Sequence, residues 1–491
     1  MYVDLALPPG LYANGTEYQS SGRYFDANFI RFYEGQIRPV GGWRALSRGI
    51  VRGAAREIVT WRANDGSIWA GIGTHSNLYT MTRSGALHDI TPAGFTVGSE
   101  NGTLGGGYGL SNYAAGAYGL PIISNDIVTP ATVWSLDQWG ENLIGVSDTD
   151  GTIYEWVPPN TGADALPVLN APPTRSLVVT DQRIVMALGA DDDVRKVRWS
   201  DQEDNTNWDV ADISNQAGEF FLETEGELLG GVKTARGALL FTDSDVWLAT
   251  YVGTPFVYTF ERVGQIDGPV SRNAMIETDS DVFWMGDNGF YSYTGIVRPL
   301  KCEVSDRVFR DLNRAQISKV TTFHNSAFNE VWWYYPCGAS NENDRYVCYS
   351  YREGHWSTGK LTRLSAVDRS PFPNPLAVGE DGRVYEHEVG FNHHGNPVFL
   401  EGGPVELGNG DNVHHAHKWI PDQDTVGDVD VTLITRIYPR GEECTFGPYA
   451  MSEQTDIRIS GRQTKMRYEA RPNVDFRIGH NRVDVRQRGR R

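Results

Sequence analysis

The stretch DVFWMGDNGFYSYTG, residues 281–295, decides the fold. A run of apolar residues leads into a Gly-Asp-Asn-Gly turn, and a second short run follows with Phe290, Tyr291 and Tyr293. Aromatic and β-branched residues suit a pleated surface, while Gly, Asp and Asn suit tight turns, so the unit reads as two short strands. It recurs at SIWAGIGTHSNLYTMT (67–82), ENLIGVSDTDGTIYEW (141–156), GALLFTDSDVWLAT (237–250) and NPLAVGEDGRVYEHEVG (374–390). Looser versions stand at RIVMALGADDDVRKVRWSD (183–201) and EVWWYYPCGASNENDRYVCYSY (330–351).

With Tyr79, Tyr154, Trp199, Trp247, Tyr291, Tyr346 and Tyr385 as markers, the period is about 50 residues. A propeller blade of four strands takes ~40–50. One such blade cannot cover both its faces, but blades stacked in a ring cover one another and leave only short edges. The chain is therefore expected to be all-β, a β-propeller of six or seven blades over residues 51–392. A pair of β-sandwiches with similar hairpins is the alternative. The Gly/Tyr-rich segment at 96–131 breaks the period and reads as an inserted loop, with Tyr108, Tyr113 and Tyr118 as candidates to line a channel or grip a neighbour.

Outside the repeat lie two further units. After residue 392 the alternating strands DVDVTLITRIY (428–438), TDIRISGR (455–462), TKMRYEA (464–470) and FRIGHNRVDVR (476–486) predict a β-sandwich over 393–491. Residues 1–50 read as an N-terminal arm, with FIRFY and QIRPV forming a hairpin about Glu34-Gly35. That arm has two possible uses: a strand closing the last blade, or a hairpin packed on the C-terminal domain. A single short helix is expected within 303–317.

Composition narrows the function classes. The 491 residues carry a formal charge of −18, which argues against a general nucleic-acid coat. Charge is uneven, however. Arg458, Arg462, Arg467, Arg477, Arg482, Arg486, Arg488, Arg490 and Arg491 crowd the last strands and are candidates for a subunit interface or for contact with DNA. No run approaches the ~20 apolar residues of a membrane span, so no membrane insertion is expected. The opening MYVDLALPPG lacks a basic segment and a long apolar core, which predicts synthesis and folding in a cytoplasm. Cys337 and Cys348 flank a loop and are spaced for a hairpin disulfide.

Catalytic patterns are missing. A glycosidase needs two converging carboxyls, yet Asp148, Asp150, Asp243, Asp279, Asp287 and Asp381 sit at repeated turns that a propeller would scatter. There is no nucleophile elbow, no phosphate loop and no calcium-hand spacing in the Asp runs at 190–196 and 421–430. Histidines concentrate at His393, His394, His414, His415 and His417, weak candidates for a divalent metal, since imidazole suits Zn or Ni. The reading is a non-enzymatic chain without a cofactor.

The elements FDANFIRFYEGQIRPVGGWR, GGGYGLSNYAAGAYGLP followed by TVWSLDQWGENLIGVSDTDGTIYEW, GPVSRNAMIETDSDVFWMGDNGFYSYTG and FRIGHNRVDVRQRGRR resemble the tail nozzle family of short-tailed phages. Its members are also called tail tubular protein B or packaged-DNA stabilisation proteins. The resemblance implies a virion tail protein assembled in the host cytoplasm as a hexameric ring beneath the portal and its adaptor. It implies tail fibres or spikes as further neighbours, and duplex DNA passing through a gated channel without sequence-specific binding. A receptor- or glycan-binding propeller of a phage tail, or a propeller glycosidase, is the rival reading.

Overall fold

A computed structural model describes residues 2–104, 128–279, 281–406, 412–421, 428–439, 441–451 and 453–489. Seven four-stranded antiparallel sheets follow one another around a ring. Blade 1 is built from Ala55–Arg62, Ile68–Thr74, Leu78–Thr82 and Leu87–Asp89. Blades 2 to 6 span 134–167, 176–221, 228–265, 275–300 and 321–360. Blade 7 takes Ser365–Val367, Leu376–Val378 and Val384–His387, and its fourth strand is Trp43–Ala45 from the other end of the chain. The first strand of each blade touches the first strands of both neighbours, including blade 7 against blade 1, so the ring is closed.

Each marker residue of the repeat lies on the third strand of its blade. The aromatic there has a definite task. Tyr154 donates its hydroxyl to the turn residue Asp150 at 2.6 Å, and Tyr385 does the same to Asp381 at 2.7 Å. Two of the turn acids weighed as glycosidase carboxyls, Asp150 and Asp381, are thereby used within their own hairpins. Separate apolar clusters fill the gaps between successive blades. Close approach is enforced by small residues: a Cβ on Gly73 would stand 2.4 Å from the Trp134 ring, whose Nε1 donates to the Thr74 carbonyl at 2.7 Å.

The C-terminal body is a sandwich of two sheets over a shared core that includes Ala416, Trp419, Val431, Leu433, Met466 and Val485. One sheet runs in the order Tyr2–Asp4, Arg482–Gly489, Val413–Ile420, Thr455–Gly461. The other is led by Tyr24–Asn28, Phe399–Gly402 and Gln463–Ala470, then Val429–Arg436 and Cys444–Ala450.

The expected division at residue 50 does not hold. Within the first fifty residues, two strands belong to the sandwich and one to blade 7. Between them the hairpin Ile30–Tyr33/Gln36–Pro39 turns at Glu34 and Gly35, both in the left-handed region, as a tight two-residue turn needs. Trp43–Ala45 realises the closing strand, whereas the C-terminal body is met chiefly by Tyr2–Asp4 and Tyr24–Asn28, the hairpin reaching it through the single bridge of Ile37 with Ile478. The helix Ser305–Asp311 and the short 3-10 turn Arg314–Lys319 fill the link between blades 5 and 6. All four cysteines are free. The Cys337 thiol donates to Asp344 instead of bonding Cys348, which is buried opposite Trp332.

Candidate functional site

The arginine-aromatic alternation of the opening hairpin is explained by what Arg31 reaches. Its side chain is 2% exposed, with Nε 2.5 Å from Glu330 and Nη2 2.5 Å from Glu388. Glu330 opens the second strand of blade 6 and Glu388 follows blade 7. Glu388 also accepts from the Gly41 amide at 3.0 Å, and Trp332 Nε1 donates to Glu330 at 2.9 Å. One buried guanidinium therefore ties the hairpin to the last two blades.

The histidines divide into two groups. His393 Nε2 donates to the Val40 carbonyl and His394 Nε2 to the Trp43 carbonyl, both at 2.9 Å, and His394 stacks on the Trp43 ring. They lock the closing strand in place. His414, His415 and His417 lie on the sandwich strand Val413–Ile420, where His415 meets the Ser460 hydroxyl at 2.7 Å. Among the described residues no group of three His, Cys, Asp or Glu is arranged to hold a metal ion.

Of the arginine candidates, three come together. Arg458, Arg482 and Arg486 are exposed on the outer face of one sandwich sheet, where the pairings Ser460–His415–Arg486 run across the three strands. Asp4, Asp456 and Lys418 share this face, so its charge is mixed. Arg467 is committed elsewhere, 3.2 Å from Glu401 and over the Phe399 ring. Arg477 pairs with Asp475, and Arg462 lies over Tyr438. Arg488, Arg490, Arg491, Tyr108, Tyr113 and Tyr118 lie outside the residues whose side chains are described. The foot of the Gly/Tyr segment is clamped: Gln316 exchanges two hydrogen bonds with the Gly102 backbone, at 2.9 and 2.8 Å.

Two features escaped the sequence reading. The first is an apolar rim on the outer edges of blades 2 to 4: Leu166 and Leu169, then Ile213 and Phe221, then Val252 and Phe256, the last 76% exposed. Phe220 of blade 3 stacks on Phe260 of blade 4 with centroids 4.4 Å apart, so the rim crosses the gap between blades. The second is a cavity of about 400 Å³ on the ring axis, lined by the first strands of every blade. Glu57, Asp137, Glu277, Asp368, Lys233 and Arg272 border it. Burial pushes Glu57 up to about 8 and Glu277 up to about 7, and raises Asp137. Lys233 is 3.2 Å from Asp181. No alternation or motif marks these residues, because they are gathered from distant turns of the ring.

No protein-family model and no curated protein matches this chain. Solved structures that resemble it include the β-propeller domain of Myceliophteria thermophila Cps50 (Swd1), with a TM-score of 0.42 at 10% identity, covering 71% of this chain and 99% of that one. A streptogramin B lyase gives 0.40 at 8%, covering 70% and 96%, and the Neurospora crassa Pan2 WD40 domain gives 0.38 at 10%, covering 70% and 94%. They are similar in being propellers. The class defined by the closed ring of seven sheets is the β-propeller, here carrying a sandwich stitched on by the N-terminal strands.

Proposed function

We propose that the chain is a structural subunit of a short-tailed phage virion: a tail nozzle protein that assembles as a ring below the portal adaptor and bounds the DNA exit channel. The observation that carries this reading is the apolar rim on three successive blades. Large apolar side chains clustered on a soluble surface mark a contact with another protein, and a repeated contact between copies generates a ring when the rotation closes. The propeller's own cavity, about 400 Å³, is far too small for duplex DNA, whose major groove alone is ~12 Å wide. The channel must then lie between copies. An acidic chain suits such a wall, since adhesion to duplex comes mainly from Lys and Arg neutralising phosphates.

Native mass spectrometry of the chain, alone and with the adaptor of the same virion, tests the proposal. A hexamer, or a monomer that becomes hexameric on the adaptor, is expected. A monomer indifferent to the adaptor would sink it.

A second reading, a ligand- or glycan-binding propeller, is favoured by the axial cavity. Carboxyls from several blades converge there, Glu57 held protonated at neutral pH beside ionisable Asp137. Binding on a glycan array, or release of nitrophenol from aryl glycosides, would support it over a purely structural role.

A further inference from the structure

The axial cavity contains polar groups that the chain itself leaves without partners. Arg272, in the link entering blade 5, borders it and, among the described residues, donates through Nε to the Leu229 carbonyl at 3.3 Å. Its Nη1 is buried with no hydrogen-bond partner among the described residues, and no carboxylate there lies within ion-pairing distance. Thr322, on the first strand of blade 6, borders the same cavity, is 5% exposed, and has a buried hydroxyl with no partner among the described residues. Both line this one cavity, and their segments adjoin: Ser271, next to Arg272, donates its hydroxyl to the Val320 carbonyl, two residues before Thr322. Buried polar groups in native proteins are almost always satisfied, and a guanidinium nitrogen with no acceptor at contact distance is a costly exception.

The surrounding acids do not fill the role. Glu57 and Asp148 act on Arg272 only at longer range. The Glu57 carboxyl accepts from the Leu136 amide at 2.7 Å, and burial keeps it protonated at neutral pH. Asp148 accepts from the Val133 amide at 3.1 Å. Asp137 is turned to the Val179 and Gln138 amides at 2.8 and 2.7 Å. A protonated Glu57 is a hydrogen-bond donor and does not compete with an anion.

We propose that the axial cavity is a binding site for a small organic anion, whose carboxylate or phosphate is held by Arg272 and Thr322 while its body rests against Leu136, Val178 and Ile276. The volume, about 400 Å³, falls in the ~300–1,000 Å³ range of small-molecule sites and fits a molecule of monosaccharide size. A guanidinium is suited to planar carboxylates and to phosphates alike. The inference deepens the ligand-binding reading and stands whether or not the chain forms a ring.

Isothermal titration calorimetry on the full chain provides the test, with glucuronate, glucose 6-phosphate, inorganic phosphate and neutral glucose as probes. Glucuronate or glucose 6-phosphate is expected to bind at least tenfold tighter than glucose. Whichever of the two is tighter tells a carboxylate from a phosphoryl ligand. Arg272→Gln is expected to lower that affinity tenfold or more, and Thr322→Val severalfold with the melting temperature held. If Arg272→Gln does not fold, Thr322→Val alone decides. Equal binding of glucose and both acids would overturn the anion site yet keep a ligand-binding propeller. Heat from inorganic phosphate alone, unchanged by Thr322→Val, would mean an adventitious ion only and would overturn it too. Absence of saturable binding by every probe would remove both.

Discussion

Arg31 is a buried cation held between two carboxylates, and the effect of its removal is correspondingly easy to foresee. Two carboxylates are within 2.5 Å of a side chain that is 2% exposed. Truncation leaves Glu330 and Glu388 buried without their counter-charge, which costs ~3–5 kcal/mol for a buried pair. Arg31→Ala is expected to lower stability by about that much in urea unfolding, and Arg31→Lys to recover only part, since one ammonium cannot span both acids. Glu57 shows the opposite sign. Its folded pKa, about 8, lies above the ordinary value of 4.5, so the folded state holds a proton that the unfolded chain releases. Stability is unaffected below about pH 4, falls as pH rises between the two values, and levels off above about 8. Glu57→Gln should therefore match the parent protein at pH 4 and exceed it by ~1–3 kcal/mol at pH 9. Equal stability at both pH values would show that water in the cavity relieves the burial.

The closing strand Trp43–Ala45 controls the ring as an element. It pairs with Val384–His387, and Arg44 meets Glu386 at 2.7 Å. Trp43 stacks with His387 and with His394, each ring centroid 5.6 Å away. Trp43→Ala should cost ~3–5 kcal/mol, the range for emptying an aromatic core position. Limited proteolysis should then cut first in blade 7, and cleavage elsewhere would refute the strand's role as the latch. This element also marks how far the sequence could be read. The middle hairpins of all seven blades were legible because their two strands and turn are contiguous and the third strand carries a Tyr or Trp, which in blades 2 and 7 bonds to its own turn. The pairing of residue 45 with residue 385 was not, because register between strands some 340 residues apart leaves no local pattern. The same holds for the axial cavity. Arg272 and Thr322 look like ordinary turn and strand residues until the ring brings both to one cavity.

For the whole molecule, two surfaces make separable predictions. Under the proposed function the apolar rim joins copies: Phe221→Asp with Phe256→Asp should leave the melting temperature within about 1 °C, since surface changes stay within about 0.5 kcal/mol. Sedimentation should nonetheless show the ring lost. The outer sandwich face, with Arg458, Arg482 and Arg486 among Asp4 and Asp456, is of mixed sign. A DNA-binding face would be dominated by cations, and each phosphate contact would steepen the fall of affinity with salt by roughly one in the log–log slope. Mixed charge suits a protein partner, where arginine pairs with carboxylates and register is set by alternating sign. Reversal of Arg482 and Arg486 to Glu is therefore expected to weaken association with the adaptor tenfold or more, with rings of the chain alone unaffected. Intact adaptor-bound rings that leak packaged DNA would assign the face to the genome instead. The salt slope of any residual DNA binding would then count how many arginines take part.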